Sequence, residues 1–278
     1  MTGRPRATVI VVAFRTTRLD LRAVPEDMEI IVVENDRDLQ SVQPARTRRV
    51  LSTNVGFGAA VNIAADAAQG TRLVLCNPDL DAPTQAFSAL ASEPTHVVAT
   101  VPVVDGVGVA TSVISPYPTP LALVATAWRL GRLFPRGSQR RERLAPLLGR
   151  WGREHRRLLH LDSDGEWPLD TRWVSGALLS IDADRFRSVG GFSARFFLYL
   201  EDTDLCERLA AAHPTMQARL CPSAPARHLV SASSHGEHQR AADLHYARSA
   251  LSYATDRAGV SWAIARVALR SRVRLLSR

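Results

Sequence analysis

Thr8 to Phe14, TVIVVAF, is a short, near-continuous β-branched and apolar run, the pattern of a strand buried on both faces. Glu29 to Val33 repeats it and ends in the polar tip Glu34-Asn35-Asp36. A shorter strand at Arg49 to Leu51 leads to Asn54-Val55-Gly56-Phe57-Gly58, after which Ala59 to Ala68 reads as a helix whose small residues permit close packing. Leu73 to Cys76 is apolar again and ends in Asn77-Pro78-Asp79. A Pro-opened helix from Thr84 to Ala91 and a strand from His96 to Val101 follow. Strands alternating with helices predict an α/β fold built on a doubly wound, mostly parallel sheet. Open sheets of this kind bind ligands at the C-terminal ends of their strands, where both acidic tips fall.

From Ser115 to Arg172 the pattern changes, with Pro116, Pro118, Pro120 and Pro135 punctuating Arg-rich helical stretches, so this segment reads as an insertion. Trp173 to Ile181, WVSGALLSI, returns to strand character, and Asp182 to Val189 is a short helix closed by Gly190-Gly191. A helix from Asp204 to Ala212 follows, Asp204 and Glu207 having the spacing of a capping box. After His228 the chain is polar and then helical. A catalytic unit of residues 1–240 carrying the 115–172 insertion, followed by a basic helical region at 241–278, is the expected organisation.

With 278 residues and 46% hydrophobic content the chain can bury a substantial core, which excludes a disorder-dominated class. Charge is uneven. All 35 basic residues are Arg and the formal net charge is +8, but Arg129 to Arg157 alone carries +8 and Arg240 to Arg278 carries +6, which leaves the rest acidic. Cys76, Cys206 and Cys221 lack CxxC spacing and read as reduced thiols of a cytoplasmic protein. The apolar run near the N-terminus is too short for a signal segment or a membrane span.

The densest chemistry lies in Phe192 to Arg208, FSARFFLYLEDTDLCER, where Glu201, Asp202 and Asp204 follow an aromatic run. So much negative charge belongs in a folded protein only where a cation, a hydroxyl or a helix end uses it. Taken singly, each candidate also has a plain reading. Glu34 reads as a solvated strand end, Asn-Pro-Asp as a turn, Asp202 as a helix cap, Trp173 as core and His228 as a surface histidine.

Together, VVEND at 32–36, NVGFGAAVN at 54–62, LCNPDL at 75–80, WVSGALLSI at 173–181, GGFSARFFLYLEDTDLCERL at 190–209 and His228 resemble the family 2 inverting glycosyltransferases. The similarity is greatest to the bacterial rhamnosyltransferase-like branch that builds cell-wall and surface polysaccharides, and it covers about residues 7 to 250. It implies a GT-A fold and transfer of a sugar, first of all L-rhamnose from dTDP-rhamnose, to a hydroxyl of a polyprenyl-linked glycan. UDP- or GDP-sugars are the alternative donors. By the family pattern Glu34 contacts the nucleotide base, with Glu standing where Asp is more usual, and Asn54, Gly56 and Asn77 join it at the donor. Asp79 and His228 hold a divalent cation, Mn²⁺ or Mg²⁺, at the diphosphate. Asp202 is the base with Glu201 beside it, and Trp173 and Asp204 serve the acceptor.

Two other classes stay open on the residues alone. A non-catalytic partner would keep the fold without turnover, and a nucleotidyltransferase would need a Gly-rich phosphate loop after the first strand, where Arg15 and Arg18 follow Phe14 instead. The segment Ser261 to Leu276 alternates apolar residues and Arg at helical spacing, an amphipathic basic helix suited to the anionic inner face of a membrane, or simply to packing on the catalytic unit. Nucleic-acid binding has no motif to support it, and oligomeric state is not legible.

Overall fold

The computed structural model of the chain describes residues 5–130, 165–229 and 237–278. Its first strand, β1 (Ala7–Ala13), is buried at every position, as its unbroken apolar sequence requires. There follow β2 (Arg18–Asp20), β3 (Glu29–Glu34), β4 (Ser41–Gln43), β5 (Arg48–Leu51), α1 (Phe57–Ala67), β6 (Arg72–Cys76), β7 (Leu80–Asp81), α2 (Thr84–Ala91), β8 (Val97–Thr100), β9 (Val103–Val104), β10 (Ile114–Pro116) and α3 (Pro120–Ala127). Beyond residue 164 come β11 (Gly165–Pro168), β12 (Arg172–Val174), β13 (Leu178–Asp182), α4 (Ala183–Ser188), α5 (Glu201–Ala212), β14 (Gln217–Leu220), β15 (Ala226–His228), α6 (Glu237–Thr255) and α7 (Val260–Leu276).

Eight strands make the central sheet, in the order β5-β3-β1-β6-β13-β8-β14-β11. The pairs β1–β3, β1–β6, β3–β5 and β8–β14 are parallel, so the expected doubly wound, mostly parallel α/β sheet is present. Strand β13 runs antiparallel to its neighbours β6 and β8, and its first residue, Leu178, stands opposite Cys76, the last of β6. That reversal brings the start of β13 to the same edge as the ends of β1, β3 and β6. Arg72 pins the arrangement from inside. Though almost fully buried, it donates to the Ser180 hydroxyl and to the carbonyls of Glu93, Pro94 and Val97, so every charged donor face is answered.

Two expectations are corrected. The single strand expected from Trp173 to Ile181 is two, because β12 pairs with β10 in a separate ribbon while β13 joins the main sheet, and Ser175 to Ala177 turn between them. Helix α5 begins at Glu201 rather than at Asp204, and no side chain caps it. Its Asp204 forms no capping box, because both carboxylate oxygens are drawn inward to Arg195 and Arg208, at 2.8 and 2.7 Å. The segment expected as an Arg-rich helical insertion contributes β10, α3 and β11 at its ends. Residues 131–164, with most of the Arg129 to Arg157 cluster, lie outside the described residues.

A second, smaller core stands beside the main one. Leu123 and Ala127 of α3, Phe196 and Leu200 ahead of α5, Ala250, Tyr253 and Ala254 of α6, and Leu269 of α7 bury one another. The C-terminal helices therefore pack onto the body of the protein. Helix α6 itself runs unbroken through residue 240. No helix among the described residues is long and apolar enough to cross a membrane.

Candidate active site

The ends of β1, β3, β5 and β6, with the start of β13, form one edge of the sheet, and the polar tips read from the sequence are all found there. Beside it lies a cavity of ≈ 400 Å³ walled by Phe57, Asn77, Pro116, Trp173, Gly176, Tyr199, Glu201, Asp202 and Tyr246, among others. Four of the sequence-predicted residues, Asn77, Trp173, Glu201 and Asp202, thus share one space. Trp173 is half-buried there, and its indole N–H donates to the Pro116 carbonyl at 3.1 Å, which fixes the ring in the wall.

Asp202 is held by the backbone. The amide of Gly176, in the turn between β12 and β13, donates to Oδ2 at 2.9 Å, and the Thr203 amide donates to Oδ1 at 2.8 Å. Burial pushes the Asp202 carboxyl up from its ordinary value, and these N–H groups pull it back toward the anion. Glu201 has less support, a backbone hydrogen bond from its own residue. It is 6% exposed, and among the described residues its Oε2 accepts no hydrogen bond. Burial first, and the neighbouring Asp202 charge second, push its carboxyl up to about 8. Both carboxyls are thus pushed up by burial, and Asp202 is the one that the Gly176 and Thr203 amides draw back toward the anion.

The backbone that presents this pair is strained. Tyr199 and Leu200, with φ of 72° and 66°, both occupy the left-handed region, which costs non-glycine residues of order 1–3 kcal/mol each. The main chain is thereby swung so that α5 starts at the cavity with its positive end toward the two carboxylates.

The Asn77-Pro78-Asp79 tip is a turn, closed by the Leu80 amide donating to the Asn77 carbonyl at 3.2 Å. This turn also delivers a donor set. β7 leaves it antiparallel to β15, placing Leu80 opposite His228, and His228 Nε2 then lies 2.9 Å from Asp79 Oδ2. The Asp79 hydrogen bond raises the His228 imidazole above its ordinary value. A carboxylate and an imidazole 149 positions apart in sequence are thus neighbours at the ligand edge, a fit to a borderline-hard divalent cation that takes its remaining ligands from phosphate and water. Among the described residues no cluster of three or more His, Cys, Asp or Glu exists that could hold an ion unaided.

The predicted donor residues gather around β3. Glu34 is almost fully buried and ion-paired to Arg49, which holds its carboxylate at the strand end. Asn35, singled out in the sequence only as part of a polar tip, organises the neighbouring loop. Its amide nitrogen donates to Asn54 Oδ1 at 3.2 Å and to the Gly56 carbonyl at 3.4 Å, and its oxygen accepts from the Val55 amide. Gly56 sits at φ 89°, and a Cβ there would come within 2.3 Å of the Phe197 carbonyl oxygen, so only glycine allows this approach. Asp204, expected at the acceptor, is instead the buried centre of the Arg195 and Arg208 ion pairs and does not belong to the cavity wall. Tyr246 of α6 does belong to it, and nothing in its helical sequence context marks it.

The fold is that of the GT-A glycosyltransferases. A solved structure of GalNAc-T7 with UDP, GalNAc and Mn²⁺ superposes over 97% of this chain and 55% of that chain with a TM-score of 0.54 at 10% identity. A mannosyltransferase from Pyrobaculum calidifontis, in complex with GDP-Man and Mn²⁺, aligns with a TM-score of 0.47 at 15% identity over 99% of this chain and 74% of its own. In sequence, a 40-residue segment is 48% identical to the N-acetylglucosaminyl-diphospho-decaprenol L-rhamnosyltransferase of Mycobacterium tuberculosis, which is 14% of this chain. The match spans 13% of that relative's length. No protein-family model matches the chain.

Proposed function

We propose that the protein is a metal-dependent inverting glycosyltransferase that moves a sugar from a nucleotide-diphosphate donor to a hydroxyl of a glycan. The observation that carries this reading is Asp202, a carboxylate held by the Gly176 and Thr203 amides in the wall of a cavity at the ligand edge of a GT-A sheet. Inverting transfer needs one base and no covalent intermediate. Asp202 takes the proton of the acceptor hydroxyl as that oxygen forms its bond to the anomeric carbon, while the bond from that carbon to the diphosphate oxygen breaks on the opposite face. Of the two carboxylates, Asp202 has the Gly176 and Thr203 amides to favour its anion, which suits it to the role of base. Trp173 offers a ring face to the acceptor sugar. Glu34, Asn54, Gly56 and Asn77 line the donor side. Asp79 and His228 would hold a cation, which supplies charge neutralisation for the departing diphosphate. The GalNAc-T7 structure, with its UDP and Mn²⁺, supports the donor class and the cation. The short match to a decaprenol-linked rhamnosyltransferase makes dTDP-rhamnose and a polyprenyl-diphosphate-linked acceptor the first substrates to test.

Asp202→Asn is expected to bind the nucleotide sugar as the wild type does while transfer falls roughly 10²-fold or more, the ordinary cost of losing a general base. Near wild-type turnover in the purified variant would overturn the assignment. Calorimetry with nucleotide diphosphate, with and without Mn²⁺, tests the cation site. Asp79→Ala should abolish the Mn²⁺-dependent part of the affinity and His228→Ala should weaken it, and equal affinity in both conditions for the wild type refutes the metal role.

A further inference from the structure

Helix α7 has two faces. On the inner one Leu269 is fully buried and Ala265 nearly so. Arg266 donates to the carbonyls of Ala254 and Arg257, and Arg272 donates to Ala127 with its guanidinium 5.3 Å above the Trp128 ring. These two arginines are engaged in packing. On the outer face Val260, Ile264, Val267 and Leu275 are 77, 66, 63 and 50% exposed. Their spacing of four, three and eight residues places them on one side of the helix. Arg274 stands exposed beside that row, Arg270 is exposed on its flank and Arg278 is exposed just past the helix end, and no Asp or Glu occurs from Val260 to Arg278.

We propose that this outer face is a docking surface for an anionic lipid bilayer, the aliphatic row entering the headgroup boundary and Arg270, Arg274 and Arg278 meeting the lipid phosphates. Charge selects this occupant. A second copy of the chain laid against the same face would set these arginines against one another with no carboxylate on the helix to answer them, whereas an anionic bilayer satisfies both the apolar row and the cations. Docking has a consequence for the cavity that rests on the transferase reading. α7 packs on α3, whose Ala122 and Thr126 line the cavity, so the cavity wall lies one helix layer, about 10 Å, from the docked helix. A lipid-linked acceptor would be presented at that distance.

Co-sedimentation of the whole chain with phosphatidylcholine vesicles, with and without phosphatidylglycerol, tests the docking. Binding to the anionic vesicles is expected near 0.1 M salt and should weaken toward 1 M, as the Debye length falls from about 10 Å to about 3 Å. Arg270→Ala with Arg274→Ala should lower it roughly 30-fold, the equivalent of about 1 kcal/mol for each Arg. Ile264→Glu with Val267→Glu should abolish it while circular dichroism stays unchanged, since both side chains are exposed. Wild-type protein that remains in the supernatant with anionic vesicles overturns the proposal, as do variants that sediment like the wild type. A dimer in sedimentation equilibrium that Ile264→Glu dissociates, without vesicle binding, would give the face to a second copy instead. No sugar donor enters these experiments, so failure of the transferase reading leaves their outcome untouched.

Discussion

Glu201 and Asp202 are adjacent in the chain and differ in how fully hydrogen bonds answer their carboxyls. Gly176 and Thr203 donate to Asp202, while Glu201 keeps one buried oxygen without a partner among the described residues. A buried, unanswered carboxyl is tolerated when protonated and costly when ionised. This sets the sign of a pH effect. Folded Glu201 holds its proton up to about 8, against an ordinary value of 4.5, so between these limits the unfolded chain binds fewer protons and stability falls as pH rises. Melting temperatures measured across that window should decline for the wild type, and less steeply for Glu201→Gln, which keeps the shape and cannot ionise. Identical slopes would mean that Glu201 is ionised in the folded protein. Asp204, one turn on, is the opposite case, its charge answered by Arg195 and Arg208.

At the scale of elements, the site depends on loops fastened to one another across long sequence distances. The Asn62 side chain on α1 accepts from the Phe192 amide and donates to the Phe192 carbonyl, both at 2.9 Å, copying a strand-like pair between a helix and the loop that leads to α5. The Phe57 amide donates to the Phe197 carbonyl at 2.9 Å and ties the other end of that loop to the start of α1. Asn62→Ala removes the first fastening and leaves a part-buried amide and carbonyl unanswered. It should cost about 1–3 kcal/mol in denaturant unfolding. A loss below about 0.5 kcal/mol, the scatter of ordinary surface changes, would show that water replaces the bridge freely.

Over the whole molecule, the cavity is a joint product of the sheet and the C-terminal helices. Asn77 comes from the end of β6, Glu201 and Asp202 from α5, Ala122 and Thr126 from α3, and Tyr246 from α6. Leu269 of α7 closes the small core behind α3 and α6. Leu269→Ala should therefore cost about 3 kcal/mol, as a large-to-small change at a fully buried site does, and should lower transfer along with the melting temperature. Ile264→Ala, five residues away on the exposed face, is expected to stay within about 0.5 kcal/mol of the wild type. Equal losses at the two positions would mean that α7 is seated the other way round.

Sequence alone determined the strands that are buried on both faces, because a continuous apolar run of that length has few other uses, and α2 was legible to the residue from its Pro-opened pattern. It also determined which residues stand at strand tips, since Glu34, Asn77 and Asp79 each end an apolar run. Tertiary structure decided what those residues meet. The break at Ser175 to Ala177, which aims the Gly176 amide at Asp202, arises because β12 and β13 join different sheets, and an apolar pattern carries no record of which sheet a strand joins. The start of α5 at Glu201 goes with the left-handed backbone of Tyr199 and Leu200, and Arg195 and Arg208 take the Asp204 carboxylate that a local spacing reads as a cap. The pairing of Asp79 with His228 and the entry of Tyr246 into the cavity wall are long-range contacts. Local propensity governs dihedral angles over a few residues, whereas a site assembled from elements far apart in the chain is fixed only when the core closes and leaves each polar group a single place to find its partner.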